Sequence, residues 1–130
     1  MAIEKSITSS IISYIKQAGG QAEKVKGDSS ASGRPDINAC YNGRCIRIEV
    51  KTPEHRNTTS KKQDINLKRW RYAGAVCMAV YSKKSFVYFL TCLSLGETGF
   101  ISCVEDNNCM SHCYIPKVDI KKNVWRTIVK

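Results

Sequence analysis

A chain of 130 residues with 42% hydrophobic and 25% charged residues has the makeup of an ordinary globular protein, which excludes wholesale disorder, collagen-like repeats and coiled-coil composition. Its 21 Lys plus Arg against 11 Asp plus Glu leave a formal charge of +10, and such excess favours a polyanionic partner, nucleic acid first, because each phosphate neutralised releases a condensed counterion. No apolar run approaches the roughly 18 residues of a membrane span, and Met1-Ala2-Ile3-Glu4-Lys5 carries an acid where a signal peptide needs apolar residues, so no membrane and an intracellular location are expected.

Ile3, Ile7, Ile11, Ile12 and Ile15 recur at helical spacing and predict a helix over 3–18 that Gly19-Gly20 ends. Residues 21–26 read as a short strand, and 27–33 are small and polar enough for a loop leading to Pro35. From Pro35 to Lys51 two alternating runs flank Asn42-Gly43, the strongest short hairpin signal. A type I′ turn there makes Tyr41 face Arg44, Ala39 face Ile46, Asn38 face Arg47, Ile37 face Ile48 and Asp36 face Glu49. The pleat then sends Ile37, Ala39, Ile46, Ile48 and Val50 to a core face, and Asp36, Asn38, Arg47, Glu49 and Lys51 to a polar one.

A polar segment over 52–59 precedes Ser60-x-x-Gln63, which matches a capping box. Leu67, Trp70 and Ala73 carry an apolar face along a second helix over 61–73, and Gly74 stops it. Residues 75–81 are continuously apolar, as in a central strand covered on both faces. Phe86, Phe89, Leu90 and Leu93 fit a third helix, with a strand over 86–90 as the alternative. Beyond Gly96 the pattern fades, leaving 101–104 and 124–129 as candidate strands. The whole reads as one domain over 1–130, with a core to residue 95 and a cysteine-rich extension over 96–130.

Cysteines number 7, and without a secretory signal they are expected to be reduced and packed as small hydrophobes. Cys103, Cys109, His112 and Cys113 could bind zinc, yet the spacing lacks the paired C-x2-C of a structural zinc site, so packing or a local disulfide is favoured.

Two carboxylates facing each other across a hairpin repel, so something positive must sit between Asp36 and Glu49. A hard divalent cation takes oxygen ligands, and Mg²⁺ is commonly held by one or two carboxylates while keeping several waters. The Val50 carbonyl lies against the same rim and could add a ligand. Lys51, two residues further along the same face, could orient or deprotonate the attacking water, or offset charge growing on a phosphate. Metal-assisted phosphodiester hydrolysis is the chemistry this pattern points to.

Gly33-Arg34-Pro35-Asp36 followed by Glu49-Val50-Lys51 resembles the PD-(D/E)xK nuclease signature, in particular its VRR-NUC branch, and the stretch from Glu4 to about Ser82 matches in order. The resemblance implies an α/β, restriction-endonuclease-like αβββαβ core with a mixed central sheet flanked by helices. It implies that Asp36, Glu49 and the Val50 carbonyl hold Mg²⁺ or Mn²⁺, that Glu4 completes the acidic shell directly or through water, that Lys51 is catalytic, and that Gln63 positions water or the DNA backbone. No small-molecule cofactor is expected. Small standalone members resemble virus-encoded and archaeal junction-resolving enzymes, which implies a homodimer acting on branched DNA in the cytoplasm of a host cell.

Basic residues crowd the proposed site in sequence. Arg34, Arg47, Arg56, Lys61, Lys62 and Lys68 are expected to guide the DNA backbone to the metal, with a plain solvated helix face as the duller alternative for Lys61, Lys62 and Lys68. Trp70 and Trp125 are expected in the core or a dimer interface. A non-catalytic basic nucleic-acid-binding protein is the competing function, and a nuclease of the same fold with another DNA or RNA substrate is the third.

Overall fold

The structure, a computed structural model, describes residues 2–25, 36–52, 61–105 and 109–117, with the side chains of 2–4 and 61–64 outside that description. Asn42 and Gly43 adopt φ of 53° and 74°, the pair of positive values that a type I′ turn requires. The turn joins β2 (Ile37–Tyr41) to β3 (Arg44–Val50) in the register read from the sequence, with Ile37 opposite Ile48, Asn38 opposite Arg47 and Ala39 opposite Ile46.

Around this hairpin the chain runs α1 (Ala2–Gln17), β1 (Gln21–Lys24), β2, β3, α2 (Lys61–Tyr72), β4 (Val76–Val80), α3 (Lys83–Ser94), β5 (Gly99–Val104) and β6 (Met110–Ile115). The strands form a six-stranded sheet in the order β1-β2-β3-β4-β6-β5. Only β3 and β4 run parallel, joined by a crossover through α2, and every other neighbour pair is antiparallel. This is a mixed α/β architecture of the restriction-endonuclease-like kind.

One face of the sheet is the core. Ile37, Ala39, Ile46, Ile48, Val50, Val76, Met78 and Val80 meet Ile11 and Ile15 of α1 and Phe86, Phe89, Leu90 and Leu93 of α3 in one buried cluster. Ile7, Ile11, Ile12 and Ile15 of α1 face this cluster, and the helix ends where Gly20 approaches β2: a Cβ there would lie 2.6 Å from the Cys40 carbonyl oxygen and 2.8 Å from Ile15 Cγ2. Any larger residue at 20 forces the helix away from the sheet.

The segment from 83 to 94 is helical, which removes the strand alternative for 86–90. Ser82 caps α3 by accepting from the Ser85 N–H at 3.1 Å, and the four large apolar side chains of the helix then fall on one buried stripe. α2 lies on the opposite face of the sheet, where the Leu67 carbonyl accepts from Cys77 Sγ at 3.6 Å. Its expected apolar face is shorter than the sequence reading: Leu67 and Trp70 are half-buried, whereas Ala73 lies past the helix end and is exposed.

β4 is interior to the sheet, as expected for 75–81. β6 was not foreseen, and it intervenes between β4 and β5. Its inward positions are Ser111, Cys113 and Ile115, two of them small, so the strand carries little hydrophobic signal. The loop expected over 27–33, the capping box at Ser60 and the strand expected over 124–129 fall outside the described residues.

All seven cysteines are free thiols, with Cys77, Cys92, Cys109 and Cys113 buried, Cys45 and Cys103 half-buried and Cys40 exposed. The zinc alternative fails on the pleat: His112 and Cys113 are consecutive on β6, so Cys113 enters the core while His112 points to the other face. No group of three or more His, Cys, Asp or Glu gathers to hold a metal among the described residues.

Candidate active site

Because β3 and β4 are parallel, their C-terminal ends open on the same edge of the sheet, and Asp36, Glu49, Val50 and Lys51 lie there. The β2–β3 ladder stops at Ile37 and Ile48. One step further, the Asp36 carboxylate takes the place of a strand carbonyl: its Oδ2 accepts the Val50 N–H at 2.7 Å, while the Asp36 carbonyl accepts the Val25 N–H of the neighbouring chain segment at 2.9 Å. Asp36 is thereby locked against the Glu49–Val50 peptide. Within a strand the N–H and C=O of one residue point the same way, so the Val50 carbonyl shares the side that Asp36 occupies.

On the other flank, the Lys51 N–H donates to the Val80 carbonyl at 2.8 Å and carries the β3–β4 pairing one residue beyond the strand. Glu49 is 3% exposed and Lys51 9%, and no other charged side chain among the described residues is so buried. Burying a charge is unfavourable unless it is paired or serves a cation, so two such residues at i and i+2 at the C-terminal end of β3 single out this edge as the candidate site. Ala79 stands opposite Glu49 on β4. Thr52, 2% exposed, closes the segment behind Lys51.

Two carboxylates and a carbonyl are hard oxygen donors, and the donor set fits Mg²⁺ or Mn²⁺ held by few protein ligands with water completing the shell. Glu4 lies on α1 and Gln63 on α2, but their side chains are outside the described part, as are Arg34 and Arg56 and the side chains of Lys61 and Lys62. Lys68 is exposed on α2.

Arg47 is placed differently from a solvent-facing phosphate contact. It projects from the same face as Glu49, one strand repeat earlier, with its guanidinium 4.0 Å from the centre of the Trp70 ring and its Nη1 donating to the Ile46 carbonyl at 3.0 Å. Trp70 is therefore not a core residue; it lies outside the buried cluster and carries the Arg47 stack. Arg71 likewise approaches the Phe100 and Tyr114 rings at 5.4 and 5.1 Å. Cys77 sits between these arginines, and burial pushes its thiol up to about 11 against their lowering influence, so it stays protonated and is no nucleophile at neutral pH.

A second polar group at this edge was invisible in the sequence. Glu105, just past β5, accepts from Ser82 Oγ at 2.6 Å, from the Tyr81 N–H at 3.2 Å and from Ser111 Oγ. Burial raises the Glu105 carboxyl, but the hydrogen bonds from Ser111, Ser82, Ser85 and Tyr81 outweigh it and hold the group below the usual carboxylate range. These bonds tie the end of β4 and the start of α3 to the β5–β6 hairpin. Ser82, Ser85 and Ser111 stand too far apart in the sequence to form a motif.

Strand order and the crossover helix define a restriction-endonuclease-like α/β fold. A solved structure titled "VRR_NUC domain" has that fold: it is 24% identical, superposes with a TM-score of 0.56, and the match covers 68% of this chain and 95% of that one. Neither a family model nor a curated protein sequence matches the chain.

Proposed function

We propose that this protein is a divalent-metal-dependent DNA endonuclease that hydrolyses phosphodiester bonds, acting as a homodimer on branched DNA such as four-way junctions. One observation carries the reading: Glu49 and Lys51, the buried charges of the described chain, flank a peptide whose N–H is clamped by Asp36. Structural ion pairs also bury charge, but here a third charged residue, Asp36, is fixed beside the other two by its bond to the Val50 N–H. The +10 charge supplies the attraction for a polyanion. Fold likeness adds the analogy that such sheets host nucleases, and the site supports it independently.

Asp36, Glu49 and the Val50 carbonyl would hold the ion, with Glu4 completing the shell. A bound Mg²⁺ supplies Lewis-acid stabilisation of the phosphate and a lower pKa for the attacking water. Lys51 delivers a positive charge to the phosphate oxygens, and its burial beside Glu49 keeps that charge fixed and poorly screened. Gln63 would orient the water or the DNA backbone from α2. Lys61, Lys62, Lys68, Arg34 and Arg56 would hold flanking phosphates and set register without reading sequence.

The test is cleavage of end-labelled four-way junction, duplex and single-stranded DNA with Mg²⁺, with Mn²⁺ or with EDTA. Metal-dependent cutting of the junction by the wild type, lost in Asp36→Asn while junction binding persists, is the expected result. DNA binding without cutting under either metal overturns the enzymatic reading in favour of a basic binding protein.

A further inference from the structure

We propose that the groove between β1, β2 and Arg47 is a subsite for the base of an unpaired DNA nucleotide, one step from the scissile phosphate; the assignment of that phosphate rests on the nuclease reading above. The groove has a volume of about 300 Å³ and is lined on the polar side of the sheet by Gln21, Glu23, Asn38, Cys40 and Arg47. The Arg47–Trp70 stack borders the groove on the α2 side. Arg47 lines the groove and Trp70 does not. The guanidinium is thus a wall with one face backed by the indole.

Two observations select a base over a phosphate. First, a guanidinium plane held against an aromatic ring is a stacking platform, and unpaired bases are bound on such planes. Second, Glu23 lines the same groove, opposite Asn38 on β1. Its carboxylate repels a phosphate but accepts hydrogen bonds from the amino groups of a base. Two residues of strand rise separate the Arg47 position from that of Glu49, about 7 Å, which suits a neighbouring nucleotide. Paired bases present no free face to the stack, so the site selects flipped or single-stranded positions, as occur at branches and bulges.

The experiment uses the full chain in EDTA, where binding is read without cleavage. Two DNAs of one sequence are compared, one fully paired and one carrying a bulged 2-aminopurine. The wild type is expected to bind the bulged DNA about 10-fold more tightly, a stacking contribution of ordinary size, with quenching of the 2-aminopurine fluorescence. Arg47→Lys, which keeps the charge and loses the plane, should erase both the preference for the bulged DNA and the fluorescence quenching. Equal binding of both DNAs by the wild type, or equal weakening of both by Arg47→Lys, overturns the subsite and leaves Arg47 as a phosphate contact. The wild-type comparison stands even if a variant fails to fold. Bulge preference without metal-dependent cutting keeps the subsite and removes the nuclease reading; cutting without bulge preference does the reverse.

Discussion

The two faces of the central sheet are built from the same strands and follow opposite rules. On one, Ile37, Ile46, Ile48, Val76, Met78 and Val80 are sealed under α1 and α3. On the other, Asn38, Arg47, Glu49, Cys77 and Ala79 share rungs with α2 covering only the middle. Period-two alternation puts Ile48 and Glu49 one residue apart in sequence and on opposite sides of the sheet. Stability and chemistry are thereby separated by a single peptide, and substitutions at consecutive positions should separate them in measurement.

The sharpest test pairs those neighbours. Glu49→Gln should lower metal-dependent cleavage by about 10³-fold or more, the scale of losing several kcal/mol of metal-assisted stabilisation, with the thermal transition retained. Ile48→Ala should instead lose about 2–5 kcal/mol of unfolding free energy, seen in urea titration, because it opens a cavity in a closed core. If Glu49→Gln unfolds the protein, the contrast between the faces breaks. Lys51→Ala should reduce kcat about 10²-fold with metal affinity unchanged, read by titrating Mg²⁺ in the cleavage assay.

At the sheet edge, Ser82→Ala should lose about 1 kcal/mol through the cap of α3. Glu105 makes that region pH-sensitive. Its carboxyl is held below the ordinary value of 4.5, so the folded state favours the ionised form. The stabilisation is complete above that value and disappears as pH falls through the lower folded value. The gap in melting temperature between wild type and Glu105→Gln at pH 7 should therefore close on acidification below about 4.5.

The smallest effects concern thiols. A maleimide at pH 7 should label Cys40 first, Cys45 and Cys103 more slowly, and the buried Cys77, Cys92, Cys109 and Cys113 only after denaturation. Burial raises the Cys113 and Cys92 thiols as well, which keeps them in the unreactive form.

The hairpin, its register and both faces were legible because they depend on local facts: a positive-φ turn at Asn42-Gly43 and strict alternation on either side. The helices at 2–17 and 83–94 were legible for the same reason, through apolar side chains at 3.6-residue spacing. The register brought Asp36 to the Glu49–Val50 end of β3, but its bond to the Val50 N–H was added by the structure, the sequence having set Asp36 opposite the Glu49 carboxylate. What the sequence could not supply was partnership between distant segments. Ser82, Ser111 and Glu105 converge only because β6 inserts beside β4, and Trp70 leaves the core only because α2 crosses to the polar face and meets Arg47. Local periodicity decides which side a residue faces; what stands on that side is decided by strand order and helix placement, which no stretch of chain encodes alone.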